Sequence, residues 1–149
     1  MLLLGDLLYH GPRNDLPREY DPKKVAAMLN EHAADILCVR GNCDAEVDQM
    51  MLQFPVLAEY AWIQAFGHAI YAVHGHKAGE DNPPQLRKGE VLLCGHTHLP
   101  ALRQHGQFTY MNPGSTSIPK GGTPHSCMML TGDGFTWINL ETGAEYVPE

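Results

Sequence analysis

The sequence predicts an α/β fold, on three observations. Short apolar runs alternate with segments of helical periodicity. Those runs repeatedly end in glycine next to a carboxylate, an amide or an imidazole. The composition, 44% apolar and 18% charged, is that of a chain with a packed core. With 149 residues the chain suits one domain, 1–149, around one core.

Residues 1–4 are an apolar strand that stops at Gly5-Asp6. Asp21-Pro22 has the form of a helix start, a capping side chain followed by proline at the first helical position. Val25, Met28, Leu29 and Ala33 then fall on one helical face. Residues 35–40 read as a buried strand delivered into Gly41-Asn42. Asp44 is placed to cap a second helix, with Val47, Met50, Met51 and Phe54 on its inner face and Pro55 as its stop. Runs 60–66 and 69–74 flank Gly67-His68 and predict a hairpin. Residues 91–94 form another buried run, ending in Gly95-His96. Runs 108–112, 127–130 and 135–140 predict a strand meander, with Gly132-Asp133-Gly134 as its last turn.

Charge narrows the function. The net charge is −7, and no basic stripe carries interleaved aromatics, so a nucleic-acid backbone is not the expected partner. Binding a small phosphate needs local positive charge from another source, and metal ions supply it. No apolar run reaches the roughly 18 residues of a membrane span, and the start lacks the basic and apolar regions of a secretory signal. A cytoplasmic location is expected. Cys38, Cys94 and Cys127 lie in apolar runs and read as small buried hydrophobes, with no C-x-x-C pair for a structural zinc. Cys43 lies in a polar loop. His32, His68, His105 and His125 have no companions and read as surface or turn residues.

Four clusters at strand ends carry the chemistry: Gly5-Asp6, Gly41-Asn42-Cys43-Asp44, His74-Gly75-His76 and Gly95-His96-Thr97-His98. Each supplies oxygen or imidazole donors where sites of open α/β sheets gather. Side chains two apart at a strand end point the same way, so His96 and His98 are expected to converge on one centre. A mixed carboxylate, amide and imidazole set suits Mn, Fe, Zn, Ni or Co better than Ca. Two such ions about 3.5–4 Å apart hold a phosphate and acidify a water.

The order GD, GNxD, HGH, GHTH resembles the calcineurin-like metallophosphoesterase superfamily. Within it, Gly11-Pro12-Arg13-Asn14, the stretch from Arg40 to Asp44 and Asn112-Pro113-Gly114-Ser115 look like the small bacterial phosphodiesterases of the YfcE type. The resemblance implies a layered β-sheet sandwich flanked by helices and a metal-dependent hydrolysis of a small phosphodiester by metal-activated water. Residue by residue it implies Asp6 as a carboxylate bridging two metals, Asn42, His74 and His96 as further ligands of one metal, and His98 as a ligand of the other. Manganese is the expected metal. Cys43, His76 and Asp44 are the implied catalytic positions, with His10 a further source of a proton; Arg13 and Asn112 are the substrate-binding ones.

Two departures stand out. The family opens with a strand ending in Asp-x-His, and this sequence begins at what resembles the following strand. One strand and one helix of the family pattern are absent, and a start assigned too far downstream is the favoured explanation. A chain of this length is expected to leave Asp6 and His98 as a weak half-site, to expose strand edges that favour self-association, and to turn over diesters poorly. Cys43 stands where most of the superfamily has histidine, and a thiol is a weak general acid. The competing reading is a scaffold on the same fold, for which the retromer subunit is the precedent.

Overall fold

The computed structural model describes residues 1–148. Its first strands, β1 (Leu2–Leu3) and β2 (Leu37–Cys38), pair in parallel, with Leu2 opposite Leu37 and Leu3 opposite Cys38. Between them lies α1 (Pro22–Asn30), started as expected. The Asp21 carboxylate accepts the Lys24 N–H at 3.0 Å and Pro22 opens the first turn. Its inner face differs from the predicted one. Ala26 is buried, with Leu29 and Ala33 beside it, against Leu8, Cys38, Leu52, Phe54 and Val56, whereas Val25 and Met28 are exposed. The helix docks through its smallest side chain, which permits close approach but contributes little to an apolar pattern.

Helix α2 (Glu46–Met51) corrects the sequence reading more sharply. Val47, Met50 and Met51 face solvent, and only Phe54, beyond the helix, is buried. The cause is Gln49. Its side-chain amide donates to the Leu52 and Phe54 carbonyls and accepts the Val56 N–H, so it holds the chain extended after one and a half turns. Asp44 does not cap this helix. Ala45 sits at the N-cap, and the Asp48 carboxylate accepts its N–H at 2.7 Å.

Five strands, β3 (Ala61–Ala65), β4 (His68–Val73), β5 (Glu90–Cys94), β6 (Ala101–His105) and β7 (Phe108–Asn112), form one sheet in the order β3-β4-β5-β7-β6. The inner strands β4, β5 and β7 run parallel; β3 and β6 are antiparallel edges. The predicted hairpin is β3–β4, turning at Phe66 and Gly67, both at positive φ. β8 (Ser126–Thr131), β9 (Gly134–Asn139) and β10 (Glu145–Tyr146) form a separate antiparallel sheet. Run 108–112 therefore does not belong to a meander with the later strands. Every residue of β5 is buried, and such a strand takes parallel neighbours on both sides.

The two sheets enclose a core in which Trp137 packs against Ile70, Val91, Leu93 and Met111. Val73, Leu92, Cys94 and Tyr110 form a second cluster on the other face of the larger sheet. Because β4, β5 and β7 are parallel, residues following β4 and β5 emerge along one edge. His68 and His105, read as isolated, are strand residues: His68 packs edge-on to Phe135, and His105 meets Glu80 and stacks on Phe108. Among the described residues no helix is long and apolar enough to cross a membrane.

Candidate metal centre

Asp6 and Asn42 come from loops after β1 and β2, His74 and His96 from those after β4 and β5. Close backbone packing brings the first two together. Gly5 has φ +91°, and a Cβ there would lie 2.3 Å from the Gly41 nitrogen. A Cβ on Gly41 would lie 2.0 Å from the Asp6 carboxylate. Only glycine fits either position. Asp44, fully enclosed beneath these loops, accepts the N–H groups of Asp6 (2.8 Å), Leu7 (3.0 Å) and Gly41 (2.7 Å). One carboxylate thus ties the two glycine turns in register.

His74 is the hub. Its Nδ1 lies 2.6 Å from the Leu4 carbonyl, which can only accept, so Nδ1 carries the proton and Nε2 keeps its lone pair. Around Nε2 lie the Asp6 carboxylate at 3.2 Å, the Asn42 amide oxygen at 3.1 Å and His96 Nδ1 at 3.1 Å. His74 Nε2, the Asp6 carboxylate and the Asn42 amide oxygen bring lone pairs together, an arrangement that a cation between them relieves. Asp6, His74 and His96 offer ligand atoms all within 4.8 Å of one another, a spacing that a central ion with bonds near 2 Å fits. A proton is the minimal such cation. Burial pushes the His74 pKa down, but the adjacent Asp6 outweighs it and leaves it raised. Burial also pushes Asp6 up, and its bonds to His74 and the Cys43 N–H bring it below its ordinary value. Burial, reinforced by His74, holds His76 and His96 below theirs, which keeps them neutral.

His98 lies outside the group of mutually close donors. Its Nδ1 donates to the Ile118 carbonyl at 2.7 Å, which leaves Nε2 open. His96 and His98 do not share a strand face, as the two-residue spacing suggested. Both are in left-handed backbone (φ 60° and 61°), as is Asp6 at 57°. That conformation is costly for a side-chain-bearing residue, and here it recurs at three donors.

This geometry sits within a recognised sequence family. A profile described as Calcineurin-like phosphoesterase superfamily domain matches residues 3–134. The chain belongs to that superfamily. Phosphodiesterase YfcE of Escherichia coli (strain K12) is 49% identical over 140 residues, 94% of this chain and 76% of that protein. A probable metallophosphoesterase of Methanothermobacter thermautotrophicus is 31% identical over 110 residues, 70% of this chain and 60% of that one. The solved structure of YfcE, a phosphoesterase from E. coli, superposes with a TM-score of 0.94 at 46% identity, covering 99% of this chain and 81% of that one. The layered fold is that of the metallophosphoesterases.

The remaining sequence-selected residues fall around this superfamily site in distinct ways. Cys43 lies beside Asp6; burial, then the Asp6 charge, pushes its thiol up to about 11. It keeps its proton. Arg13 is exposed on the loop before α1, close enough for its charge to act on Cys43. His76 packs edge-on to His74, and its buried Nδ1 has no hydrogen-bond partner among the described residues. The buried Nδ1 of His10 is likewise unpartnered, its ring lying between Tyr9 and Tyr20. Asp44 has both oxygens occupied by backbone N–H groups.

Asn112, expected from the resemblance to bind substrate, is enclosed behind the histidine loop. It is 0% exposed, and its amide donates to the Gly95 carbonyl at 2.7 Å and to Thr97 Oγ1 at 3.1 Å. It holds the histidine loop from behind and presents no surface to a ligand. Sequence reasoning missed the Leu4 and Ile118 carbonyls, which orient two imidazoles. Every residue has a carbonyl, so no sequence signal marks them.

Proposed function

We propose that this chain is a metal-dependent phosphodiesterase, acting in the cytoplasm on a small diester, with residues 1–149 working as one domain. The observation that carries the proposal is the convergence of Asp6, Asn42 and His96 on Nε2 of His74. Asp6, Asn42, His74 and His96 hold a divalent cation, manganese first, with zinc, iron, nickel and cobalt suited to the same donors. His98, with Nε2 open, and Asp6 serve a second. Such ions supply Lewis acidity to the phosphate and lower the pKa of a water.

The chain's own groups do the rest. Leu4 and Ile118 fix imidazole tautomers, and Asp44 fixes the loops. Arg13 offers positive charge to a phosphate in a protein whose net charge is −7. Cys43 holds its proton too tightly to be an efficient acid. Diesters with good leaving groups are therefore the expected substrates.

Manganese titration followed by electron paramagnetic resonance, alongside hydrolysis of bis(4-nitrophenyl) phosphate, tests this. Stoichiometric uptake, lost in His74→Ala, and turnover abolished by a chelator are expected. Equal uptake by both proteins, or hydrolysis indifferent to chelation, would overturn the assignment.

A further inference from the structure

Beside the metal centre, on the outer face of the larger sheet, lies a cavity of about 160 Å³ whose walls include His74, His76, Tyr60 and Tyr71. It adjoins the candidate metal centre, with His74 both in its wall and among the donors. The two tyrosines are stacked, with ring centroids 5.3 Å apart and planes within 9°. Tyr71 is anchored in β4, while Tyr60, just before β3, is 57% exposed although one face of its ring stacks on its partner. The Lys77–Glu59 ion pair, 2.8 Å apart, lies at the same cavity.

The volume decides what such a recess can take. Pockets that enclose a whole drug-sized ligand run to about 300–1,000 Å³, so this one has room for one group of a ligand. Its position against His74 and His76 puts it next to the donors, within reach of a group attached to a phosphate held there. Stacked aromatic walls favour a flat π surface over a flexible alkyl chain, because rings pair through offset stacking beyond the area they bury.

We infer that this cavity is the subsite for one ester arm of the substrate, and that Tyr60, backed by Tyr71, selects a planar aromatic or heteroaromatic arm. This rests on the phosphodiesterase reading above. An aryl group and a nucleobase share the chemistry that Tyr60 recognises.

Calorimetric binding to the manganese-loaded protein tests the subsite apart from turnover. The probes are inorganic phosphate, ethyl phosphate, phenyl phosphate and a pyrimidine nucleoside 5′-monophosphate. Metal-dependent binding of inorganic phosphate checks the metal centre, and its absence defeats the phosphodiesterase reading itself. With that binding present, at least one flat-armed probe is expected to bind roughly 3- to 10-fold tighter than ethyl phosphate. A preference for phenyl alone identifies an aryl arm, and one for the nucleotide a base. Tyr60→Phe keeps the preference and Tyr60→Ala collapses the ratio towards one. Flat and alkyl probes of equal affinity, or a ratio unchanged in Tyr60→Ala, would overturn the subsite while leaving the metal centre standing.

Discussion

Asp44 shows how much of the candidate metal centre depends on a residue that is not among its converging donors. Its two oxygens satisfy three backbone N–H groups from two loops that pack together at Gly5 and Gly41. Asp44→Asn keeps one acceptor oxygen for the Asp6 and Gly41 N–H groups but turns an NH₂ on the Leu7 N–H, so that bond is lost together with the charge that strengthens the other two. Charge-assisted bonds of this kind make the expected loss about 2–4 kcal/mol by urea unfolding. Manganese affinity should fall about 10- to 100-fold, as for other residues that orient ligands. A stability loss with unchanged metal affinity would count against this role. At this scale the sequence was informative about donors, since glycine next to Asp, Asn or His is a visible pattern. It was silent about what orients them. The enclosure of Asn112 was not legible, because Asn-Pro-Gly has the form of an exposed turn and nothing in those letters reveals that its amide bonds to Gly95 and Thr97.

Among elements, strands were legible and helix faces were not. The β3–β4 hairpin followed from two apolar runs around Gly67, and β5 from an unbroken apolar run. The faces of α1 and α2 failed because Val25, Met28, Val47, Met50 and Met51 are apolar yet solvent-facing, while Ala26 makes the contact. β6 went unread because most of it is an exposed polar edge, without alternation. The hairpin turn supports a prediction of its own. Phe66 sits at φ 48° ahead of Gly67 at φ 80°, two left-handed residues in a row, and its ring is 64% exposed. Asn-Gly is the favoured pair for such turns. Phe66→Asn should raise stability by about 1 kcal/mol, seen as a higher urea midpoint at constant slope. An unchanged or lower midpoint would show that the exposed ring contributes more than the backbone conformation costs.

Across the whole molecule, the smaller sheet is tied to the metal centre by a chain of hydrogen bonds. Trp137 of β9, 2% exposed, donates its indole N–H to the Asn112 carbonyl at 2.7 Å, and the Asn112 side chain holds Gly95 and Thr97. Trp137→Phe keeps an aromatic core but leaves that carbonyl unsatisfied and the core underfilled. A loss of about 2–4 kcal/mol is expected, with weaker manganese binding although Trp137 is no ligand. Metal affinity equal to that of the wild type in a folded variant would cut the link. This coupling was hidden in the sequence because it joins residues 95, 112 and 137 through backbone atoms.

The same chain of contacts has a consequence for how the protein breathes. Gly95 and Asn112 cannot let go of each other without loosening the indole that plugs the space between the sheets. Amide protons of β9 and of the segment behind His96 should therefore exchange with solvent at matched rates and be slowed in parallel when manganese binds. On this coupling, the loop bearing the imidazoles is expected to open together with the far layer of the sandwich.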